Sequence, residues 1–85
     1  MAVEELVSYI VKGLVDSPDH VLVNKVEGES TIMLELVVHP DDVELVRGEG
    51  GETLRHLKAV VSAASGRRKA ILELMDGGSE SSGEE

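Results

Sequence analysis

The residues best suited to chemistry are four consecutive ones, Gly48-Glu49-Gly50-Gly51, which we call the glycine corner. Three glycines in four positions leave the backbone amides bare and allow another molecule to approach closely. After the corner, apolar residues repeat at helical spacing. Upstream of the corner, Pro40 and the acidic residues that follow it predict the start of another helix. Because free N–H groups at a helix N-terminus attract phosphate, the corner indicates a nucleic-acid backbone as its ligand.

Positive side chains near the corner are the second candidate feature. Arg47 directly precedes the corner, while Arg55 and Lys58 are three apart and share a face of the next predicted helix. We interpret these three as phosphate contacts, with an ordinary solvated face as the alternative. Arg67 and Arg68 form a further basic cluster at the turn into the last predicted strand. They are additional candidates for nucleic-acid contact, with a solubilising turn or a favourable charge at the helix C-terminus as the alternative.

Acidic residues oppose this interpretation. A carboxylate about 5 Å from a phosphate costs on the order of 1 kcal/mol in water-like surroundings, and Glu49 and Glu52 lie in and beside the corner. Both acids also suit a helix N-terminus electrostatically. The formal net charge of the chain is −9, whereas sequence-independent nucleic-acid affinity comes from Lys and Arg. We therefore expect the corner to keep its shape but to hold phosphate less tightly.

Other chemistries lack the residues that they need. The chain has no cysteine, which removes disulfides, thiolate metal sites and cysteine nucleophiles. His20, His39 and His56 have neither metal-ligand spacing nor a partner acid in a catalytic pattern. The corner follows a helix and lacks the Gly-Lys-Ser/Thr ending of a P-loop. We predict no catalytic residue, no metal and no cofactor, and hence no enzyme.

Hydrophobic periodicity predicts six elements in the order α-β-β-α-α-β. The predicted helices span residues 3–15, 41–47 and 52–65, and Gly66 closes the last of them. The predicted strands span residues 20–26, 32–38 and 69–75. Two helices separate the second strand from the last, so we expect these two strands to be parallel. The predicted fold class is α+β, with helices packed on one face of a mixed three-stranded sheet.

The residues around the corner resemble the Gly-x-x-Gly loop of KH domains. Three further stretches look like the small bacterial single-KH RNA-binding family (KhpA-type): LVSYIVKGLVD at 6–16, VEGE at 26–29 and HPDD at 39–42. The resemblance implies a type II KH domain over residues 1–76. In such a domain the corner grips single-stranded RNA over about four nucleotides, and aliphatic side chains contact the bases. The resemblance also implies an RNA chaperone or post-transcriptional regulator, a homodimer, and a larger KH-containing partner protein.

Two departures from the family support a rival hypothesis. The family usually places Lys, Arg or Gln inside the loop and a basic residue just after it, where this chain has Glu49 and Glu52. With the net charge, these favour an acidic KH-fold module for protein interaction or dimerisation whose RNA binding is weakened. Tyr9 is the only aromatic residue, which argues against domains that stack bases on aromatic rings.

Three further expectations follow from the residue pattern. Residues 77–85 carry no apolar side chain and are expected to be a disordered acidic tail. A chain without cysteine, signal peptide or an apolar run of about 20 residues is expected to be cytoplasmic. Because the corner is expected to be exposed, replacing Gly48 and Gly51 together by aspartate is expected to abolish RNA binding and to leave the fold largely intact.

Overall fold

The computed structural model describes residues 2–75, so the tail predicted at residues 77–85 lies outside the described residues. The helices are α1 (Val3–Lys12), α2 (Val43–Arg47) and α3 (Glu52–Ala64). The strands are β1 (Leu22–Glu27), β2 (Thr31–Val37) and β3 (Lys69–Leu74). Short 3-10 turns at Pro18–His20, Pro40–Asp42 and Glu49–Gly51 precede β1, α2 and α3. The predicted order α-β-β-α-α-β is confirmed.

The sheet is mixed, with β2 between β1 and β3. β1 and β2 are antiparallel, and the Gly28 N–H donates to the Thr31 carbonyl at 2.8 Å to close their hairpin. β2 and β3 are parallel, with Leu34 opposite Leu72. Parallel neighbours need a crossover connection, and α2 with α3 provides it. The parallel pairing predicted for these two strands is confirmed.

One face of the sheet carries the helices. Along β2, Ile32, Leu34 and Leu36 are fully buried, whereas the residues between them are only half-buried. Because successive side chains in a strand point to opposite faces, this alternation places the core on one side of the sheet. The helices complete that core with Val7, Val11, Val43, Val46, Leu57 and Val61. The opposite face of the sheet, which we call the outer face, is left without a covering layer in residues 2–75.

The end of α1 and the start of β1 differ from the predicted bounds, and a glycine or a proline lies near each of them. α1 ends at Lys12 rather than at residue 15, because the Gly13 N–H bonds to the Ile10 carbonyl at 3.1 Å and tightens the last turn. β1 begins at Leu22 rather than at residue 20, because Pro18 opens a 3-10 turn. Gly66 lies just beyond α3 with φ +68°, the left-handed conformation expected after a helix C-terminus.

A buried carboxylate ties the start of α2 to the segment between α1 and β1. Asp42 is 2% exposed, and its Oδ2 accepts a hydrogen bond from the Ser17 N–H at 3.0 Å. A buried charged group is tolerated when it is hydrogen-bonded, and this bond also satisfies a loop amide. Asp42 therefore helps to position α2, the helix that leads into the glycine corner.

Candidate nucleic-acid interface

The glycine corner has a backbone shape that its glycines make possible. Gly48, Gly50 and Gly51 have φ angles of +78°, +65° and +78°, a region that residues with a side chain rarely adopt. With Glu49 they turn the chain from the end of α2 into the start of α3. The predicted helix-to-helix corner therefore forms at residues 48–51.

Gly48 is held by a close contact as well as by its φ angle. A Cβ atom added at Gly48 would lie 2.3 Å from Oγ1, 2.7 Å from Cβ and 2.8 Å from the backbone N of Thr53. A Cβ atom added at Gly50 or Gly51 would meet nothing within 4 Å. The expectation that Gly48 accepts aspartate without loss of the fold is therefore wrong, because the side chain would have to displace the first turn of α3.

Two amides of the corner remain available for a ligand. Among residues 2–75, hydrogen bonds occupy the N–H groups of Gly48, Gly51 and Glu52, which donate to the carbonyls of Glu44, Gly48 and Glu49. The N–H groups of Glu49 and Gly50 donate to no backbone carbonyl in that part of the chain. Both residues are exposed. These amides precede the N-terminus of α3, where the helix dipole favours an anion.

The two arginines beside the corner are paired with acids on their own helices. Arg47 contacts Glu44 at 2.9 Å, and Arg55 contacts Glu52 at 2.8 Å, each three residues apart. Exposed pairs of this spacing are worth about 0.2–0.5 kcal/mol, so a phosphate can displace the carboxylate at small cost. Lys58 makes no ion pair within residues 2–75. Side chains that can neutralise phosphate thus lie on both sides of the corner.

The basic residues of α3 lie on the side of the helix that faces away from α1. Thr53, His56 and Val60 line a cleft of about 230 Å³ together with Ile10 of α1 and Leu14 just beyond its end. Successive helix residues are rotated by about 100°, so Lys58 lies on the other side of the buried Leu57 from His56. By the same rotation Arg55 lies beyond Lys58, away from α1. These two cations therefore share the flank of α3 that is free of α1.

Arg67 and Arg68 lie at the far end of α3 from the corner. Since α3 has 13 residues at about 1.5 Å each, roughly 20 Å separates its two ends. Arg68 pairs with Glu27 at the end of β1, 41 residues away in sequence. Arg67 is exposed and makes no ion pair within residues 2–75. The structure does not bring this cluster to the corner.

The pair between Arg68 and Glu27 predicts an acid dependence of stability. The hydrogen bond from Arg68, aided by the charges of Lys25 and Arg68, lowers the pKa of the Glu27 carboxyl below its ordinary value of 4.5. A lowered pKa contributes stability above about pH 4.5, and this contribution is lost as pH falls through the lowered pKa. We expect Glu27→Gln to be less stable than the natural chain at pH 7, and the difference to vanish in strong acid.

Urea unfolding of both proteins across pH 7 to 2.5 measures this difference. Glu29→Gln is the matched control, because Glu29 is exposed in the same hairpin and makes no ion pair within residues 2–75. If the difference in unfolding free energy between Glu27→Gln and the natural chain stays constant with pH, the ion pair of Glu27 with Arg68 is not its cause.

Two residues that position the corner were not singled out by sequence reasoning. Thr53 packs against Gly48, and Asp42 binds the Ser17 amide. No local pattern indicated either role: Thr53 occupies an ordinary first-turn position, and Asp42 reads as a helix-start charge like Asp41. Only the packing of one segment on another distinguishes them.

Other site types find little support in the described chain. Residues 2–75 contain no group of three or more His, Asp or Glu side chains placed to hold a metal ion. None of the helices in this part of the chain combines the length and the apolar character that a bilayer crossing needs.

Comparison with known proteins identifies the family. The sequence model described as "KhpA/KhpB, KH domain" matches residues 4–74. Proteins named RNA-binding protein KhpA are similar over most of the chain. The one from Oceanobacillus iheyensis is 39% identical over 72 residues, covering 82% of this chain and 96% of its own length. The one from Clostridium perfringens is 42% identical over 74 residues, covering 85% and 99%.

A third relative, RNA-binding protein KhpA of Streptomyces coelicolor, is 45% identical over 64 residues, covering 75% of this chain and 81% of its own length. No solved structure matches the chain at a significant level. The family match runs from the second residue of α1 to the last residue of β3. The chain belongs to the KhpA/KhpB family of KH domains.

Proposed function

We propose that this chain binds single-stranded RNA, with the glycine corner gripping the sugar-phosphate backbone. The observation that carries the proposal is a pair of N–H groups just before the N-terminus of α3. They belong to the exposed residues Glu49 and Gly50 and donate to no backbone carbonyl within residues 2–75. Donors of this kind fit phosphate oxygens. Relatives that are named RNA-binding proteins, at 39–45% identity, support RNA as the class of ligand.

The side chains around the corner supply charge and apolar contact for the same strand. Arg47, Arg55 and Lys58 flank the amides and can each neutralise a phosphate. Leu45 on α2 is 45% exposed, and Leu54 on α3 is partly buried. Aliphatic surfaces of this kind contact bases without the aromatic stacking that this chain lacks. Arg67 and Arg68 are assigned a secondary role at the far end of α3, for an RNA long enough to reach them.

The biological role that the family resemblance implies is RNA chaperoning or post-transcriptional regulation, with no chemical step. A homodimer and pairing with a larger KH-containing protein remain predictions from the family resemblance, as does a cytoplasmic location. Sedimentation of the purified chain measures directly whether it forms a homodimer.

The test of RNA binding is a titration with fluorescent single-stranded oligonucleotides at two salt concentrations. If three cations neutralise phosphates, the logarithm of the binding constant should fall with the logarithm of salt concentration at a slope of about −2, since each phosphate contributes roughly 0.7. No binding at low salt would reject the proposal.

Gly50 offers the sharpest test of the corner itself. Gly50→Asp and Gly50→Asn place side chains of equal size in open space, and both residue types tolerate the left-handed backbone. The aspartate would lie beside a phosphate, so we expect it to bind RNA about tenfold more weakly than the asparagine variant at low salt. The same titration measures both. Equal affinities of the two folded variants would place the RNA elsewhere.

Glu49 is predicted to weaken RNA binding in the natural chain. We expect Glu49→Lys to bind tighter than Glu49→Gln, and Glu49→Gln tighter than the natural chain, because each step removes repulsion or adds attraction. The lysine should also steepen the salt slope by about 0.7. If affinity and slope are the same in all three proteins, the side chain at position 49 points away from the strand.

The second candidate function is an acidic KH-fold module for protein interaction with weakened RNA binding. Glu49 in the corner and the pairing of Arg47 and Arg55 with Glu44 and Glu52 favour it. Under this alternative the natural chain binds RNA only weakly, with a salt slope much shallower than −2. The titrations above therefore separate the two functions.

A further inference from the structure

The outer face of the sheet carries a regular pattern of side chains. Its strand register places three rows across β1, β2 and β3, and the last row follows from the Met75 N–H bonding to the Leu36 carbonyl. One apolar row consists of Val26, Met33 and Ile71, and the other consists of Leu22, Val37 and Met75. The middle row is Asn24, Glu35, Glu73. Two apolar rows thus enclose an acidic one on a face that residues 2–75 leave uncovered.

The apolar rows are accessible to a partner. Leu22 and Val26 are each 53% exposed, and Ile71 and Met75 are each 38% exposed. Within each row the apolar side chains are neighbours, and grouped apolar surface on a small domain marks an interaction site more often than scattered single residues do. The face therefore has the apolar area that a docked element would bury.

The middle row adds charge that the fold does not balance. Glu35 and Glu73 are direct neighbours on β2 and β3, whose backbones lie about 4.8 Å apart. Neither side chain makes an ion pair or a side-chain hydrogen bond within residues 2–75. Like charges at this spacing repel, so the pair lowers stability in the free protein. A cation between the two apolar rows would remove that repulsion.

The spacing of the rows fits an α-helix. The apolar rows are four strand residues apart, about 13 Å, and their three strands span about 10 Å. A helix is about 10–12 Å wide, and eight of its residues rise about 12 Å. Apolar side chains at helix positions i and i+8 would meet the two rows, and a residue at i+4 would lie over Glu35 and Glu73.

One end of the face is closed. A cleft of about 500 Å³ lies there between Glu35, Val37 and Met75 of the sheet and the segment ends at His20, His39 and Pro40. The rings of His20 and His39 pack edge to face with their centres 4.9 Å apart. This wall would stop a docked helix beside the row of Leu22, Val37 and Met75.

We propose that the outer face binds an amphipathic helix of a partner protein, with apolar residues at i and i+8 and Lys or Arg at i+4. Phosphate would be repelled by Glu35 and Glu73, so RNA is not the occupant. A second copy of the chain would bring two such acidic pairs together, and residues 76–85 of this chain carry only acids as charged side chains. A basic residue between apolar ones matches the face in both charge and spacing.

The test is selection from a phage-displayed library of 14-residue helical peptides against the full chain. We expect enrichment of apolar residues at i and i+8 with Lys or Arg at i+4. A synthetic peptide with the most enriched sequence should bind the double variant Glu35→Gln/Glu73→Gln at least about tenfold more weakly than it binds the natural chain, as measured by fluorescence anisotropy. The control Asp16→Asn/Glu29→Gln removes the same charge from exposed positions outside the face and should bind as the natural chain does.

Other outcomes overturn the proposal. These are no enrichment, peptides that bind the double glutamine variant unchanged, and peptides displaced by single-stranded RNA. A chain that dimerises and is dissociated by Ile71→Glu would assign the face to a second copy. Circular dichroism of each variant confirms that it is folded, and RNA affinity is expected to be the same in the double glutamine variant as in its charge-matched control.

Discussion

Gly48→Ala should destabilise the domain by about 3 kcal/mol or more, whereas Gly50→Ala should cost only about 1 kcal/mol. Gly50 has a left-handed backbone, which costs alanine about 1–2 kcal/mol. Gly48 has a φ of 78° and a ψ of 166°, a region essentially restricted to glycine, which costs alanine about 1–3 kcal/mol. Only Gly48 also brings a methyl group to within 2.8 Å or less of three atoms of Thr53. Relieving that overlap requires the start of α3 to move.

Urea unfolding of the two variants measures the difference directly. Overpacking typically costs 1–3 kcal/mol beyond any backbone strain, and total stability of a domain is only about 5–15 kcal/mol. Gly51→Ala serves as a second control, since its added methyl group also meets nothing within 4 Å. Equal losses of stability at positions 48, 50 and 51 would show that the contact between Gly48 and Thr53 adds nothing to the cost.

Asp42→Ala should destabilise the domain by about 2 kcal/mol. The substitution leaves the part-buried Ser17 N–H without its acceptor, and an unsatisfied buried donor costs about 1–3 kcal/mol. For a domain of this size each kcal/mol corresponds to about 4–8 °C in Tm. We therefore expect a fall of roughly 8–16 °C, measured by circular dichroism.

The neighbouring acid is the matched control for this prediction. Asp41 has a side chain that is 90% exposed, and its Oδ2 lies 3.8 Å from the Nδ1 atom of His39. Asp41→Ala is expected to change stability by less than about 0.5 kcal/mol. Asp42→Asn, which keeps an acceptor oxygen for Ser17, should fall between the two alanine variants. If both alanine variants lose the same stability, the tie between Asp42 and Ser17 contributes nothing.

Asp42 and Gly48 position the two ends of the same helix, α2. Asp42 holds the start of α2 and Gly48 ends it, so α2 is positioned at both ends by contacts with other segments. α2 has only five residues and could not be stable as an isolated helix. The presentation of the Glu49 and Gly50 amides therefore depends on tertiary contacts at both ends of α2.

The sequence by itself determined the elements, their order and the place of the glycine corner. Period-2 alternation in residues 32–38 and helical periodicity in residues 3–15 and 52–65 are local signals of which side chains must be buried. Pairing of parallel strands followed from the length of the crossover, a property of chain connectivity. The family resemblance also rested on local stretches and was confirmed by the match over residues 4–74.

Only the tertiary structure decided which residues at the corner are fixed and which are open. Gly48 and Gly51 look alike in sequence, yet Thr53 fills the space beside one and not the other. Asp41 and Asp42 are adjacent acids, yet one is exposed and the other buried against Ser17. The pairing of Glu35 with Glu73 joins strands 38 residues apart. Such contacts depend on how distant segments pack, and local periodicity carries no information about them.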